Sequence, residues 1–345
     1  MTTDRTTATV LPPALPRVGV RIAGVGSALP SRVITNQLLS TIVETSDDWI
    51  VQRTGISERR MIDHSKGESN FSLSRDAMRR ALDHAAMRAD ELDLLIVGTI
   101  SGEMRCPSNA CRVAAALGAG ECPAFDLGAA CCGFTYSLNL AHDLIKVGTH
   151  RAIGIVGVDT ISSTMDYTNR AVCILFGDAA GAAVLRATDD TSKGILAQVN
   201  RADGSAWHNL YWPMSEADFP PNADRATARA GCLQMNGREI YKFAVKTFGD
   251  VIDETLTRAG VPVADVDMFV CHQSNARIIE SARERFGIPE HKVYVNIDRV
   301  GNTSAGSVPL CLDELVRAGR VREGQIVMFV AFGAGLTWAT SLWRM

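Results

Sequence analysis

No stretch of this 345-residue chain approaches the roughly 18 to 20 continuous apolar residues needed to span a bilayer as a helix. Neither sign of charge is in excess. The 35 Lys and Arg stand against 38 Asp and Glu, and a net charge of −3 gives no overall pull toward nucleic acid or an acidic membrane. Cysteines spaced as C-x-x-C are missing and the seven histidines form no ligand cluster, so no metal site is expected. The nine cysteines are odd in number and lack disulfide-framework spacing, which points to reduced thiols and a cytoplasmic protein. The first 17 residues have no apolar signal-peptide core; polar and Pro-rich, they read as a flexible tail.

What is present is an ordinary globular composition, 46% hydrophobic and 21% charged, long enough for two domains or one duplicated one. After Arg17, strand-like and helix-like segments alternate. Residues 18–25 read as a strand, 70–88 as a helix, and 92–99 (LDLLIVGT) as a strand buried on both faces. Strands follow at 152–158 and 179–185, then a helix at 240–259, strands at 267–271 and 292–296, and two more at the C-terminus. Such alternation predicts a layered α/β architecture.

The chain also repeats. "ALDHAAMRADELDLLIVGT" from Ala81 aligns without gaps on "TLTRAGVPVADVDMFVCHQ" from Thr255, matching Leu82 to Leu256 and Asp93 to Asp267. Gly-rich hairpins, "LFGDAAGAAVL" from Leu175 and "AFGAGLTWATSLW" from Ala331, end each half. Two related halves, 18–190 and 191–345, are expected, with the active site where they meet.

Cys131 is the leading candidate there. It stands in the apolar, small-residue run DLGAACCGF, Asp126 to Phe134, ahead of a helical stripe of Phe134, Leu138, Ala141 and Ile145, widened by Tyr136, Leu140 and Leu144. A cysteine at a helix start meets free N–H groups and the positive end of the helix dipole, both of which favour thiolate. His272 closes a buried strand, and Asn302 lies in "GNTSAGS", a turn able to aim an amide.

With these residues in view, the sequence resembles the β-ketoacyl-acyl carrier protein synthase III family of the thiolase superfamily. The likeness rests on "TSDDWIVQRTGI" from Thr45, "DLGAACCGFTYSL" from Asp126, "LFGDAAGAAVL" from Leu175, "HQSNARII" from His272, "GNTSAGSVP" from Gly301 and "FGAGLTW" from Phe332. It implies a five-layered α-β-α-β-α fold and a homodimer. It also implies a catalytic set of Cys131, His272 and Asn302, with an oxyanion hole from the backbone N–H groups of Cys131 and Ala334. No bound cofactor is implied; acyl-CoA and a malonyl thioester on acyl carrier protein are the implied substrates.

By the same resemblance, Trp49 and Arg53 flank the adenine of CoA, Arg170 contacts its adenine or phosphate end, and Asn275 bonds the pantetheine arm. Arg277 and Lys242 are candidates for docking the acidic carrier protein, with Arg283 and Arg285 as weaker ones. Two positions depart from the family pattern. Cys132 stands where the family usually has a smaller or apolar residue such as Ala, and Cys106 where a bulky residue often closes the acyl pocket across a dimer interface, so a longer or branched acyl group is expected to fit. The irregular segment 203–231 is expected to cover the pocket. The resemblance implies decarboxylative condensation that starts fatty acid or polyketide synthesis. The alternatives are acyl transfer to a carrier protein or small-molecule acceptor without condensation, and a non-catalytic partner subunit, which retention of all three residues opposes.

Overall fold

The computed structural model describes residues 18–345, so the N-terminal segment read as a tail lies outside the described residues. Nine strands build two sheets. In the first half they are β1 (Gly19–Ala28), β2 (Leu94–Gly98), β3 (Ala124–Leu127), β4 (Ala152–Asp159) and β5 (Ala179–Thr188), in the order β1-β5-β4-β2-β3. In the second they are β6 (Gly194–Ala202), β7 (Met268–Cys271), β8 (Ile326–Gly333) and β9 (Thr337–Arg344), in the order β6-β9-β8-β7. Both sheets start with two antiparallel pairings, followed by two parallel pairings in the first sheet and one in the second.

The repeat is matched in hydrogen bonding. Asp93 Oδ2 accepts from the N–H of Ala152, first residue of β4, and Asp267 Oδ2 accepts from the N–H of Ile326, first residue of β8. Each aspartate reaches a residue 59 positions on, and each thereby fixes where a central strand starts.

Helices α1 (Asp47–Thr54), α2 (Asn70–His84), α3 (Asn109–Leu117), α4 (Gly133–Lys146), α5 (Gly237–Ala259), α6 (Ala276–Phe286) and α7 (Ser307–Arg317) complete the frame. α2 and α3 cover the outer face of the first sheet, α4 and α7 fill the space between the sheets, and α5 with α6 covers the second sheet. The result is the expected five layers, α-β-α-β-α. Phe134, Leu138, Ala141 and Ile145 of α4 are fully buried in the central core. Leu140 does not widen that stripe as expected. It is exposed, since it falls on the opposite side of the turn from Leu138 and Ala141.

Two boundaries differ from the sequence reading. The helix expected over 70–88 stops at His84, after which Ala86 turns the chain with φ 51°. Residues 292–296 do not form a strand. Val293 makes one bridge to Phe269, but the Gln273 side chain takes the Tyr294 carbonyl and the Asn296 N–H that a longer ladder would use.

Candidate active site

A cavity of about 630 Å³, open solvent included, lies where the two halves meet. Cys131 enters it from the first half, and His272 and Asn302 from the second, with Leu210, Met235 and Phe332 among the apolar walls. The three residues that sequence reasoning singled out therefore share one space.

Cys131 sits in a short 3₁₀ turn, Ala130–Cys132, that leads into α4 at Gly133. Ala130 adopts φ 46° to aim the turn. Gly333, at the end of β8, presses against it: a Cβ there would lie 2.9 Å from the Cβ of Cys131. The expectation that the helix start holds this sulfur as thiolate needs correcting. Burial pushes the Cys131 thiol up to about 12, opposed by the Ser304 hydroxyl and its own backbone N–H and reinforced by Asp159. The helix proper starts only two residues later, and a buried sulfur pays heavily for charge. Cys132 is fully buried in the central core, its thiol pushed still higher, first by burial.

His272 follows directly on β7, where its N–H bonds the Val330 carbonyl. Burial pushes the imidazole down to about 3, so it is neutral at ordinary pH. Its ring meets Phe332 edge to face at 5.4 Å, and its Nδ1 is enclosed without a hydrogen-bond partner. Asn302 Oδ1 accepts from the Ser304 N–H at 2.9 Å. That bond commits the oxygen and leaves the amide N–H₂ as the group turned to a ligand.

Trp49, on α1, has two guanidinium groups against its ring. Arg53 lies 4.8 Å and Arg170 5.1 Å from its ring centroid, and Arg170 also donates to the Glu44 carbonyl. Asn275 lines the cavity but already has work in the fold. It caps α6 by accepting from the Arg277 N–H, and it donates to the Arg53 carbonyl. This ties the α1 arginine to the cavity rim.

The charged docking candidates are partly neutralised. Lys242 pairs with Glu239, Arg283 with Glu280 and Arg285 with Asp250, whereas no ion pair involves Arg277 among the described residues. Cys106 is exposed and does not line this chain's own cavity. The 203–231 segment is built of 3₁₀ turns and one short strand. Leu210 reaches the cavity while Trp207 stays exposed.

Sequence reasoning missed Ser304 and Asp159. Ser304 Oγ lies 3.3 Å from Cys131 Sγ, and Asp159, at the end of β4, is fully buried beside it. A carboxylate closing a wholly apolar strand was the available signal.

Two matching sheets with a cysteine turn at their junction define a thiolase-like acyltransferase. Residues 125–204 match the description 3-oxoacyl-[acyl-carrier-protein] synthase III, and residues 256–345 match its C-terminal part. The chain belongs to the β-ketoacyl-[acyl-carrier-protein] synthase III family. It is 42% identical over 326 residues to the family's protein from Caldanaerobacter subterraneus subsp. tengcongensis, covering 94% of this chain and 98% of that one. The crystal structure of 3-oxoacyl-[acyl-carrier-protein] synthase III from Aquifex aeolicus VF5 superposes with a TM-score of 0.87 at 40% identity, covering 95% and 100%. The priming β-ketosynthase of the R1128 polyketide pathway superposes with a TM-score of 0.88 at 34% identity, covering 98% and 99%.

Proposed function

We propose that this enzyme condenses an acyl-CoA primer with malonyl-acyl carrier protein, with loss of CO2, through an acyl-Cys131 intermediate. The reading is carried by one observation: a neutral imidazole and an amide N–H₂ share the cavity of the buried cysteine. Cys131 Sγ attacks the primer thioester, and the thiol proton leaves with the CoA sulfur, which departs as the free thiol. The Cys131 and Ala334 N–H groups stabilise the oxyanion; neither donates to a backbone carbonyl in a turn, loop or cap among the described residues. In the second step malonyl thioester loses CO2. His272 and Asn302 donate to the thioester oxygen as the enolate forms, and neither adds a charge of its own. The enolate carbon attacks acyl-Cys131 and releases it, leaving a β-ketoacyl thioester.

Trp49, Arg53 and Arg170 bind the CoA nucleotide at the rim, where a planar base can slide between indole and guanidinium. Arg277, free of ion pairs among the described residues, is the docking cation for the carrier protein. The enzyme acts as a homodimer. The edge strand β3, with Phe125 40% exposed, supports that reading because an open apolar edge invites a second copy. Cys106 then faces the partner's pocket.

The test follows protein masses. The enzyme is incubated with a panel of acyl-CoAs, and malonyl-carrier protein is added. An acyl gain on Cys131 followed by CO2 release and a β-ketoacyl-carrier product supports condensation. Transfer of the acyl group intact to an acceptor would establish the acyltransferase alternative instead.

A further inference from the structure

The charge that builds on Cys131 meets no cation among the ionisable groups around it. His272 is neutral, and burial pushes the Cys132 thiol and the Tyr136 phenol up, so both stay protonated. Asp159, wholly buried, opposes charge on the sulfur. Hydrogen bonding is what remains. Among the described residues, the side chain bonded to Cys131 Sγ is Ser304, whose hydroxyl donates at 3.3 Å.

Ser304 holds an unusual backbone to reach it. The residue opens the 3₁₀ turn Ser304–Gly306 at φ 51°, where a side chain crowds the backbone and glycine is the usual occupant. At 1% exposure its hydroxyl faces protein and not solvent. Strain of this kind collects at functional sites, where the surroundings hold it in place. The two polar groups of Ser304 have separate partners. Its N–H donates to Asn302 Oδ1 at 2.9 Å and fixes that amide, while its Oγ meets the sulfur. A glycine at 304 would keep the first bond and lose the second.

We propose that Ser304 is a further catalytic residue, whose hydroxyl donates to Cys131 Sγ as negative charge builds on the sulfur. The proposal rests on Cys131 being the nucleophile. In primer loading an S–C bond forms from Cys131 to the acyl carbon, the S–C bond to CoA breaks, and the thiol proton ends on the CoA sulfur. In condensation the enolate carbon takes the acyl group, and the Cys131 S–C bond breaks with its electron pair on sulfur. The thiolate then takes up a proton from solvent. Ser304 keeps its own proton throughout. A hydrogen bond to a charged sulfur is stronger than one to a thiol or a thioester. The hydroxyl therefore favours the charged transition states of both steps over the neutral states between them.

The experiment compares wild type with Ser304→Gly and Ser304→Ala, both of which keep the N–H that holds Asn302. Glycine suits the φ of 51°, and Ala130 already holds φ 46° in the facing turn, so either backbone is accommodated. Three rates are measured on each protein at about pH 8. They are iodoacetamide alkylation of Cys131 located by peptide mass, acyl-enzyme formation by intact mass, and CO2 release from malonyl-CoA without primer. A urea melt of each variant checks folding.

Both variants are expected to lose about tenfold or more in alkylation and in acyl-enzyme formation, the scale of one hydrogen bond to a charged group. CO2 release, which needs Asn302 and not the sulfur, is expected to fall less than about threefold. Alkylation as fast as wild type in both variants would overturn the proposal. So would CO2 release falling in parallel with acylation, since the hydroxyl would then support the turn and not the sulfur. A loss confined to one of two folded variants traces to the backbone and overturns it as well. If one variant fails to fold, the other decides. Acylation of wild type at a residue other than Cys131 would sink the nucleophile assignment itself, whatever the Ser304 variants show.

Discussion

The Cβ that Gly333 lacks would stand 2.9 Å from both the Cβ and the backbone nitrogen of Cys131. The end of β8 thus leans directly on the cysteine turn, and the obstacle is backbone that no rotamer change can clear. Gly333→Ala must move the turn, at a cost of about 1–3 kcal/mol in overpacking. A shift of about 1 Å at a reacting atom costs about 100-fold in rate. Quenched-flow mass measurement of acyl-enzyme formation is expected to show a loss of that order.

The two adjacent cysteines separate cleanly by environment. Cys131 lines the cavity, while Cys132 is fully buried in the core between the sheets. Cys131→Ala is expected to abolish acyl-enzyme formation, and Cys132→Ala to retain it with a stability loss of about 1 kcal/mol. Intact mass after acyl-CoA treatment, with a urea melt of each variant, checks both outcomes. An acyl label on Cys132 reverses the assignment.

Asn302 offers a way to split the two steps. Asn302→Asp keeps the oxygen that accepts from the Ser304 N–H but removes the N–H₂ donor. Primer loading is expected to fall no more than a few-fold, whereas malonyl decarboxylation falls about 100-fold or more, the usual cost of one lost donor to a developing oxyanion. Radiolabelled CO2 release against acyl-enzyme mass gives the ratio.

His272 links the site to the pH dependence of stability. Burial lowers its pKa from 6.5 to about 3, so between those values the unfolded chain binds a proton that the native state refuses. Stability contributed in this way is full above pH 6.5 and falls as pH drops toward 3. Asp178, raised to about 6 by burial, works in the opposite sense over part of that window, so the comparison must be a difference. His272→Asn is expected to lose about 2 kcal/mol less than wild type between pH 7 and pH 5 in urea denaturation. Parallel pH curves for the two proteins would refute it.

The arginine-flanked Trp49 predicts selectivity for the nucleotide end of the primer thioester. Trp49→Ala is expected to raise KM for acyl-CoA about tenfold, equivalent to one cation–π and stacking contact. The rate with an acyl-N-acetylcysteamine thioester, which lacks adenine, should change little. Equal losses with both substrates would place Trp49 in the fold rather than in recognition.

The layered fold was legible because both halves carry long apolar strands and capped helices, and because Asp93 and Asp267 repeat in register. The cavity's chemistry was legible where a residue stands in its own motif: Cys131, His272 and Asn302 each do. Interactions across the fold were not. Ser304 meets Cys131 173 positions away, and Gln273 competes for backbone groups at 294 and 296, facts that no local pattern carries. The thiolate expectation failed for a related reason. A helix start is visible in sequence, but the burial that outweighs it at Cys131 is not.

The repeat that pairs Asp93 with Asp267 also sets Ala130 against Ser304, both at positive φ and both opening a 3₁₀ turn ahead of a central helix. A symmetric dimer of one such half would set two identical turns face to face, with each residue at the axis meeting its own copy. Joining the halves in a single chain frees each turn from that likeness. One turn specialises as the sulfur and the other as the hydroxyl that meets it, so the active site is an asymmetry written onto a symmetric scaffold.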